Sequence, residues 1–360
     1  MPATRRAIIT GLAATPLVLG AREAWGMPDS FAPVVRMAAP SIVGISVTDY
    51  AGPKPARPRL PRALIPPEQR VPEPGLRAPG LRKQEDSEDG IKAIGSGFII
   101  DPAGLIVTNN HVVGNATRII VTLDDGGRFP ASIAGADQLT DLAVIRIEAG
   151  RPLPPARWGD SARVQVGDWV LAAGNPFDLG TSFTAGIVSA RGREIGDGPF
   201  DHFLQLDAPI NPGNSGGPAF NMRGRVVGVN TAIVSPSGGS VGIGFAIPSD
   251  MARRVVAALI AHGAIPRGWL GVAVGDAPEG MAGVAILGIE PGGPAARAAL
   301  RPGDIVEAVN NLPVNDAGAM IRAIASVPPG TTERLTIKRN REVFTLPVTV
   351  GRRPAELGSD

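Results

Sequence analysis

Apolar residues in this chain alternate with polar ones or run together for four to eight positions, the pattern of half-buried and fully buried strands. Such runs predict strands at 41–48, 95–100, 105–108, 118–123, 128–134, 142–147, 169–173, 184–190, 202–206, 226–233 and 241–246. Turn-forming Gly, Pro, Asn and Asp punctuate them, which suits a β-sandwich or barrel. Residues 31–40 read as a short helical arm bounded by prolines. From 249 the period changes: Met251, Val255, Val256, Leu259 and Ile260 recur at helical spacing, with Ser249 as the expected N-cap and Gly263 as the C-cap. A smaller mixed unit follows. It has strands at 269–274, 283–289, 305–309, 333–339 and 342–350, helices at 295–300 and 317–326, and a turn at 301–304.

Two stretches fall outside this patterning. Residues 51–90 are rich in proline and arginine, end in an acidic cluster at 85–89, and lack apolar periodicity. They predict a long disordered insertion, with solvated charge as its plain reading and regulation as the sharper one. The first 26 residues open with Arg5 and Arg6, continue through an apolar run to Gly20 and end in small residues. That reads as a secretory signal, and its paired arginines resemble a twin-arginine export signal. The run falls short of the roughly 20 residues a spanning helix needs, so cleavage is expected, with an uncleaved membrane anchor as the alternative. The chain thus divides into a signal at 1–26, a β-rich domain at 27–262, a second domain at 263–352 and a tail at 353–360.

Composition narrows the chemistry. A length of 360 residues allows two or three cores. A net charge of +2 gives no argument for binding nucleic acid or an anionic membrane. The absence of cysteine excludes thiol catalysis, thiolate-bound zinc and disulfides.

The chemically pointed stretch is 211–218, Asn-Pro-Gly-Asn-Ser-Gly-Gly-Pro. Each glycine inside a helix or strand costs about 0.5–1 kcal/mol against alanine, so this composition belongs to a tight turn. There the amides of Gly213 and Ser215 can converge on a developing negative oxygen, while Pro212 fixes the approach. A purely structural turn fits the same residues. The nucleophile elbow of α/β-hydrolases, also G-x-S-x-G, requires a following helix and a later acid and histidine. Here a strand pattern follows, and His262 alone of the three histidines comes later. A base for Ser215 must come from upstream. His262 falls at a helix end, where a cation is favoured, and His202 sits beside a polar loop. His111 ends an apolar strand in Thr-Asn-Asn-His-Val-Val, where it can be held rigidly as a general base. Asp141 opens Asp-Leu-Ala-Val-Ile-Arg-Ile, where a buried carboxylate needs a partner. Spacing alone does not separate Asp141 from Asp137 or Asp125.

The order His, Asp, Ser is that of trypsin-like serine proteases. With TNNHVV, DLAVIRI and NPGNSGGP, preceded by GSGFII and followed by VGIGFAIP, most of residues 30–350 resembles the HtrA/Deg family. The resemblance implies a mostly β chain: a trypsin-like double β-barrel followed by one small α+β PDZ domain. It implies an ATP-independent endopeptidase acting in the periplasm on unfolded or damaged proteins. In it Ser215 is the nucleophile, His111 the base, Asp141 its orienting acid, and the amides of Gly213 and Ser215 the oxyanion hole, with no metal or cofactor. Pro209, Ile210 and Ile243 are expected to wall a pocket for small or medium aliphatic residues. Asn230, Thr231 and Ala232 are expected to pair with substrate backbone. Trp269, Leu270, Gly271 and Val272 resemble the loop with which PDZ domains bind a peptide's terminal carboxylate, and Ala299 stands where the family usually has glycine. The resemblance also implies a homotrimer, or a multiple of one, packed through an amino-terminal arm in which Phe31 is an aromatic contact. The insertion 51–90 falls at the family's variable regulatory loop. Two other classes compete: a chaperone or peptide-binding protein whose proteolysis is secondary, and an esterase of the hydrolase fold, which would need a parallel sheet.

Overall fold

The computed structural model describes residues 30–50, 91–114, 116–175, 180–196, 198–235, 239–278 and 280–353. The expected signal segment, the insertion and the chain beyond Arg353 lie outside the described residues.

A short helix, α1 (Ala32–Ala38), leads into the first barrel. Its strands are β1 (Ile42–Tyr50), β2 (Ile91–Asp101), β3 (Leu105–Thr108), β4 (Ala116–Leu123), β5 (Arg128–Asp137) and β6 (Leu142–Ile147), closed in the order β1-β2-β3-β6-β5-β4. One helical turn, α2 (Asn110–Val113), interrupts it after β3. The second barrel uses β8 (Trp169–Gly174), β9 (Ser182–Arg193), β10 (Phe203–Leu206), β11 (Pro218–Asn221), β12 (Arg225–Ile233) and β13 (Gly244–Pro248). Pairing of β11 with β12 closes that ring, and the two-residue β7 (Arg157–Trp158) adds to β12 in parallel. Every other strand pair in the two barrels is antiparallel, so the hydrolase-fold alternative fails.

The unbroken apolar runs have a simple cause. Side chains alternate between the faces of a strand, and several strands here are buried on both. In β6, Ala143 and Ile145 fill the first barrel, while Leu142 and Val144 enter the seam between barrels. In β8, Val170 and Ala172 fill the second barrel, while Leu171 and Ala173 meet the same seam. Phe98 and Phe220 are fully buried there, each contributing about 1.5–3 kcal/mol by leaving water. The seam therefore fixes one barrel against the other.

Helix α3 (Ser249–His262) packs Ala252, Val255, Val256 and Leu259 onto the seam. Its C-cap is Gly263, left-handed at φ 74°, as expected. Its N-cap is Pro248, not Ser249, whose hydroxyl instead donates to the Gly159 carbonyl across the chain reversal. The strand expected at 241–246 begins only at Gly244, because Gly242 turns the chain at φ 81°.

The last domain has a sheet ordered β15 (Val272–Asp276), β16 (Val284–Ile289), β17 (Ile305–Val309), β19 (Thr332–Arg339), β20 (Glu342–Thr349), with β18 (Leu312–Pro313) on β17. A separate ribbon pairs β14 (Gly268–Trp269) with β21 (Gly351–Arg352). Helices α4 (Pro294–Arg297) and α5 (Ala317–Ala325) cover its own core. Ala299 takes the left-handed φ of 61° where glycine would be free to, and Arg339 donates to its carbonyl.

Candidate active site

Three segments meet at the mouth of the seam. The turn before β6 places Asp141 at φ 52°, an unusual conformation for a non-glycine residue. Bonds impose it. Its carbonyl accepts from the Asn110 amide at 3.1 Å and the Asn109 side-chain amide at 2.8 Å. Its Oδ1 accepts the His111 amide at 2.9 Å. Its Oδ2 lies 2.7 Å from His111 Nδ1 and 2.7 Å from Thr231 Oγ1, which donates to it. Strain of this kind persists only where surrounding contacts over-determine it. A carboxylate accepts and does not donate, so Nδ1 carries the imidazole proton and the lone pair is on Nε2, the atom a general base offers.

His111 was expected at the end of a strand. It sits instead in α2, because Asn109 follows β3 in an extended conformation and Asn110 starts a helical turn. That turn presents the ring outward, with the side chain 41% exposed, while Val112 and Val113 bury into the first barrel. The competing carboxylates are engaged elsewhere. Asp137 accepts from Thr140 Oγ1 at 2.6 Å and from Arg267 at 2.8 Å. Asp125 pairs with Arg151 in an exposed hairpin. His202 lies against Gly192, and His262 ends α3.

The serine turn is bound into both barrels. Thr231 joins it to the carboxylate: its hydroxyl donates to Asp141, and its carbonyl accepts from Ser215 Oγ at 3.3 Å. A Cβ on Gly216 would press on the Ser96 carbonyl and Thr108 Oγ1 and lie 2.9 Å from the Asn109 amide. The serine turn thus rests directly on the residues that lead to His111. Its amides can be accounted for one by one. Asn214 donates to the Asn211 carbonyl, Gly216 to Asn230 and Gly217 to Asn214. Among the described residues, the amides left without a partner in 213–217 are those of Gly213, at φ 101°, and Ser215.

The pocket residues separate. Pro209 is exposed, and its carbonyl accepts from Thr184 Oγ1 at 2.8 Å. Ile210 is buried in the second barrel and covers Gly244, so closely that a Cβ there would lie 2.7 Å from it. Ile243 is half-buried, its carbonyl taken by the Val234 amide. Asn230 does not offer its backbone to a substrate strand, contrary to expectation: its amide donates to Gly217 and its carbonyl accepts from Gly216. The edge of β12 beyond it, at Thr231 and Ala232, faces β13 on one side. The carboxylate-binding role of the Thr231 hydroxyl was not legible, because its partner is 90 residues away.

In the last domain the strand expected over 269–274 is broken. Trp269 ends β14, Leu270 is buried, Gly271 turns left-handed at φ 72°, and Val272 starts β15. A groove of about 400 Å³ runs between the edge strand β15 and α5. Met320, Ile321 and Ile324 form its apolar floor, and Arg353 stands at its rim. The helix residues and Arg353 were not named from the sequence. Burial pulls the Arg353 guanidinium below its ordinary value, and Asp137 opposes this. The linker ties the two domains: Arg267 pairs with the buried Asp137 and lies over the Phe200 ring at 4.5 Å, and Arg322 of α5 donates to the Pro199 carbonyl at 2.9 Å.

Double barrel, seam-edge Ser, His and Asp, and a following peptide-groove domain together define a trypsin-like serine peptidase fold joined to a PDZ domain. Residues 95–229 match the trypsin-like peptidase domain model and residues 268–350 the PDZ domain model. A probable periplasmic serine endoprotease DegP-like of Brucella suis is 48% identical over 276 residues, covering 74% of this chain and 54% of that protein. One of Chlamydia trachomatis is 44% identical over 294 residues, covering 79% and 59%. The chain spans about half the length of the curated relatives it matches. Among solved structures, the HtrA-type protease AlgW with decapeptide aligns at TM-score 0.72 and 38% identity, over 90% of this chain and 99% of that one. The serine endoprotease from Yersinia pestis aligns at 0.68 and 33%, over 91% and 100%. The chain belongs to the HtrA family of serine proteases.

Proposed function

We propose that this chain is an ATP-independent serine endopeptidase that degrades unfolded or damaged proteins of the cell envelope under control of its PDZ domain. The observation that carries the reading is the chain of bonds from His111 through Asp141 and Thr231 to the Ser215 hydroxyl. Ser215 Oγ attacks the peptide carbonyl, and His111 takes its proton and returns it to the leaving amine. Asp141 holds the imidazole and steadies the imidazolium. The two unpartnered amides, of Gly213 and Ser215, receive the oxyanion. Losing one such donor costs about 3 kcal/mol in comparable enzymes.

Pro209, Ile210 and Ile243 carry no charge, which supports cleavage after small or medium aliphatic residues. Peptide carboxy termini bind in the groove beside β15 by strand addition, with the carboxylate at Leu270 and Gly271. The relatives' names support a periplasmic location, with membrane attachment only where the amino-terminal segment stays uncleaved. Assembly is proposed as a trimer or its multiple through the arm around α1, where the Phe31 ring meets that of Trp169 of its own chain at 5.5 Å, tilted by 57°. Domain limits of 27–262 and 263–352 follow.

Digestion of casein by the purified chain, without ATP, tests the reading. Cleavage lost by at least about 10⁴-fold in Ser215→Ala is expected. Undiminished cleavage in that variant refutes it. Protection of an unfolded protein from aggregation by a wild type that does not cleave would favour the holding protein instead.

A further inference from the structure

The Gly95-Ser-Gly97 stretch entered above only as part of a strand and as a family mark, yet Ser96 bonds directly to the serine turn at two carbonyls. It lies in β2, fully buried. Its hydroxyl donates to the Gly213 carbonyl at 2.5 Å and accepts the Asn175 amide at 2.7 Å. Its amide donates to the Ser215 carbonyl at 2.8 Å, and its own carbonyl accepts from Thr108 Oγ1 at 2.7 Å. One residue of the first barrel thus grips the turn on both sides of Asn214 and reaches the end of β8 in the second. The flanking glycines make the approach possible: a Cβ at Gly95 would lie 2.6 Å from Val112 and 3.3 Å from the Ser215 carbonyl, and one at Gly97 would lie 2.8 Å from the Val107 carbonyl.

Gly213 needs such a grip. At φ 101° it has no Cβ to favour one peptide orientation over another, so its own sterics do not aim its amide. Two external bonds limit that freedom: one to the Gly213 carbonyl pins the 213–214 peptide and one to the Ser215 carbonyl pins the 215–216 peptide, so the peptides that carry the Gly213 and Ser215 amides are held by their neighbours. We infer that Ser96 is the positioning residue of the oxyanion-binding turn, holding the Gly213 and Ser215 carbonyls so that the two amides point at one place. The inference rests on the serine-protease reading. A buried hydroxyl is costly unless its bonds are made; here both the donor and an acceptor site are used, so alanine would take from the Gly213 carbonyl and the Asn175 amide the bond that Ser96 makes to each.

The test is steady-state cleavage of a chromogenic peptide by Ser96→Ala, with inhibition by a peptide boronate that forms a tetrahedral adduct on Ser215. A misaimed oxyanion site is expected to lower kcat by about 10- to 100-fold. KM should stay within about twofold, and boronate affinity should weaken by a factor similar to the fall in kcat/KM. Peptide binding to the PDZ groove should not change. Should the alanine variant fail to fold, Ser96→Cys, which keeps bulk and a weak donor, carries the same test with a smaller loss. A folded variant with wild-type kcat and boronate affinity overturns the inference, as does a loss confined to KM. A wild type without Ser215-dependent cleavage instead refutes the protease reading beneath it.

Discussion

Gly216→Ala isolates the close approach between the serine turn and the residues leading to His111. Two costs are expected. The first is torsional, since Gly216 is at φ 83° and left-handed backbone costs an L-residue about 1–2 kcal/mol. The second is steric: the new methyl meets the Ser96 carbonyl and Thr108 Oγ1, neither the loose end of a long side chain. Overpacking of this kind costs about 1–3 kcal/mol. The sum, about 2–5 kcal/mol, is a large part of a domain's usual stability. Gly126 supplies an internal control, because it has the same φ of 83° with nothing within 4 Å. Gly126→Ala therefore carries only the torsional cost. Thermal unfolding of both variants should place Gly216→Ala lower by the steric share, roughly 2–12 °C at about 2–4 °C per kcal/mol. Activity should separate them further. Relieving the clash moves Ser215, and a displacement near 1 Å costs about 100-fold in rate. Gly126→Ala should cleave peptide like wild type, and Gly216→Ala at one hundredth or less. Equal melting points with equal activity would refute the packing described.

Thr231→Val removes one donor to Asp141 and keeps the carbonyl that receives Ser215; with both His111 donors left, kcat should fall by about tenfold or less, measured against an unchanged KM. Ile321→Glu places a charge in the apolar groove of the PDZ domain and should weaken a hydrophobic carboxy-terminal peptide by at least about tenfold in fluorescence anisotropy, with the melt unchanged because Ile321 is only half-buried. Arg267→Ala removes the guanidinium bonded to the buried Asp137, leaving it the Thr140 hydroxyl and the charge of Arg353, and a double-mutant cycle with Asp137→Asn should return a coupling of about 1–3 kcal/mol by denaturant unfolding. Asp304 titrates below the usual carboxylate value of 3.8: burial opposes this, but bonds from Arg339 and the Arg301 amide outweigh it. Its folded value being depressed, the stabilisation is complete above pH 3.8 and disappears as the pH falls through the folded value, so the acid limb of PDZ unfolding should flatten in Asp304→Asn.

The β-rich fold was legible because burial on two faces writes itself into composition. A run such as 142–147 has apolar residues on both sides of the strand only when both sides are covered, and here barrel and seam cover them. Elements whose reason lies elsewhere in the chain were not legible. The two-residue β7 exists only because β12 lies beside it. Strand 269–274 broke because Leu270 and Gly271 give their carbonyls to Ala295 and Glu290, a demand that no local pattern records.

The site divides along the same line. Ser215, His111 and Asp141 were nameable because their chemistry restricts the residue type, so a chain with three histidines leaves few choices. Even so, choosing Asp141 over Asp137 required the resemblance. The reason is now visible: Asp137 lies only four residues away, at the end of β5, and its carboxylate is taken by Thr140 and Arg267 where that of Asp141 is taken by His111 and Thr231. Residues that act by holding others have no such restriction. Thr231 and Ser96 are ordinary strand residues whose partners lie 90 and 117 positions away. Their hydroxyls gain meaning only after two barrels have closed and met. A site assembled at a seam therefore shows its reacting groups in the sequence and hides what positions them. Substitutions at those hydroxyls should separate rate from binding more sharply than their distance in sequence from Ser215 suggests.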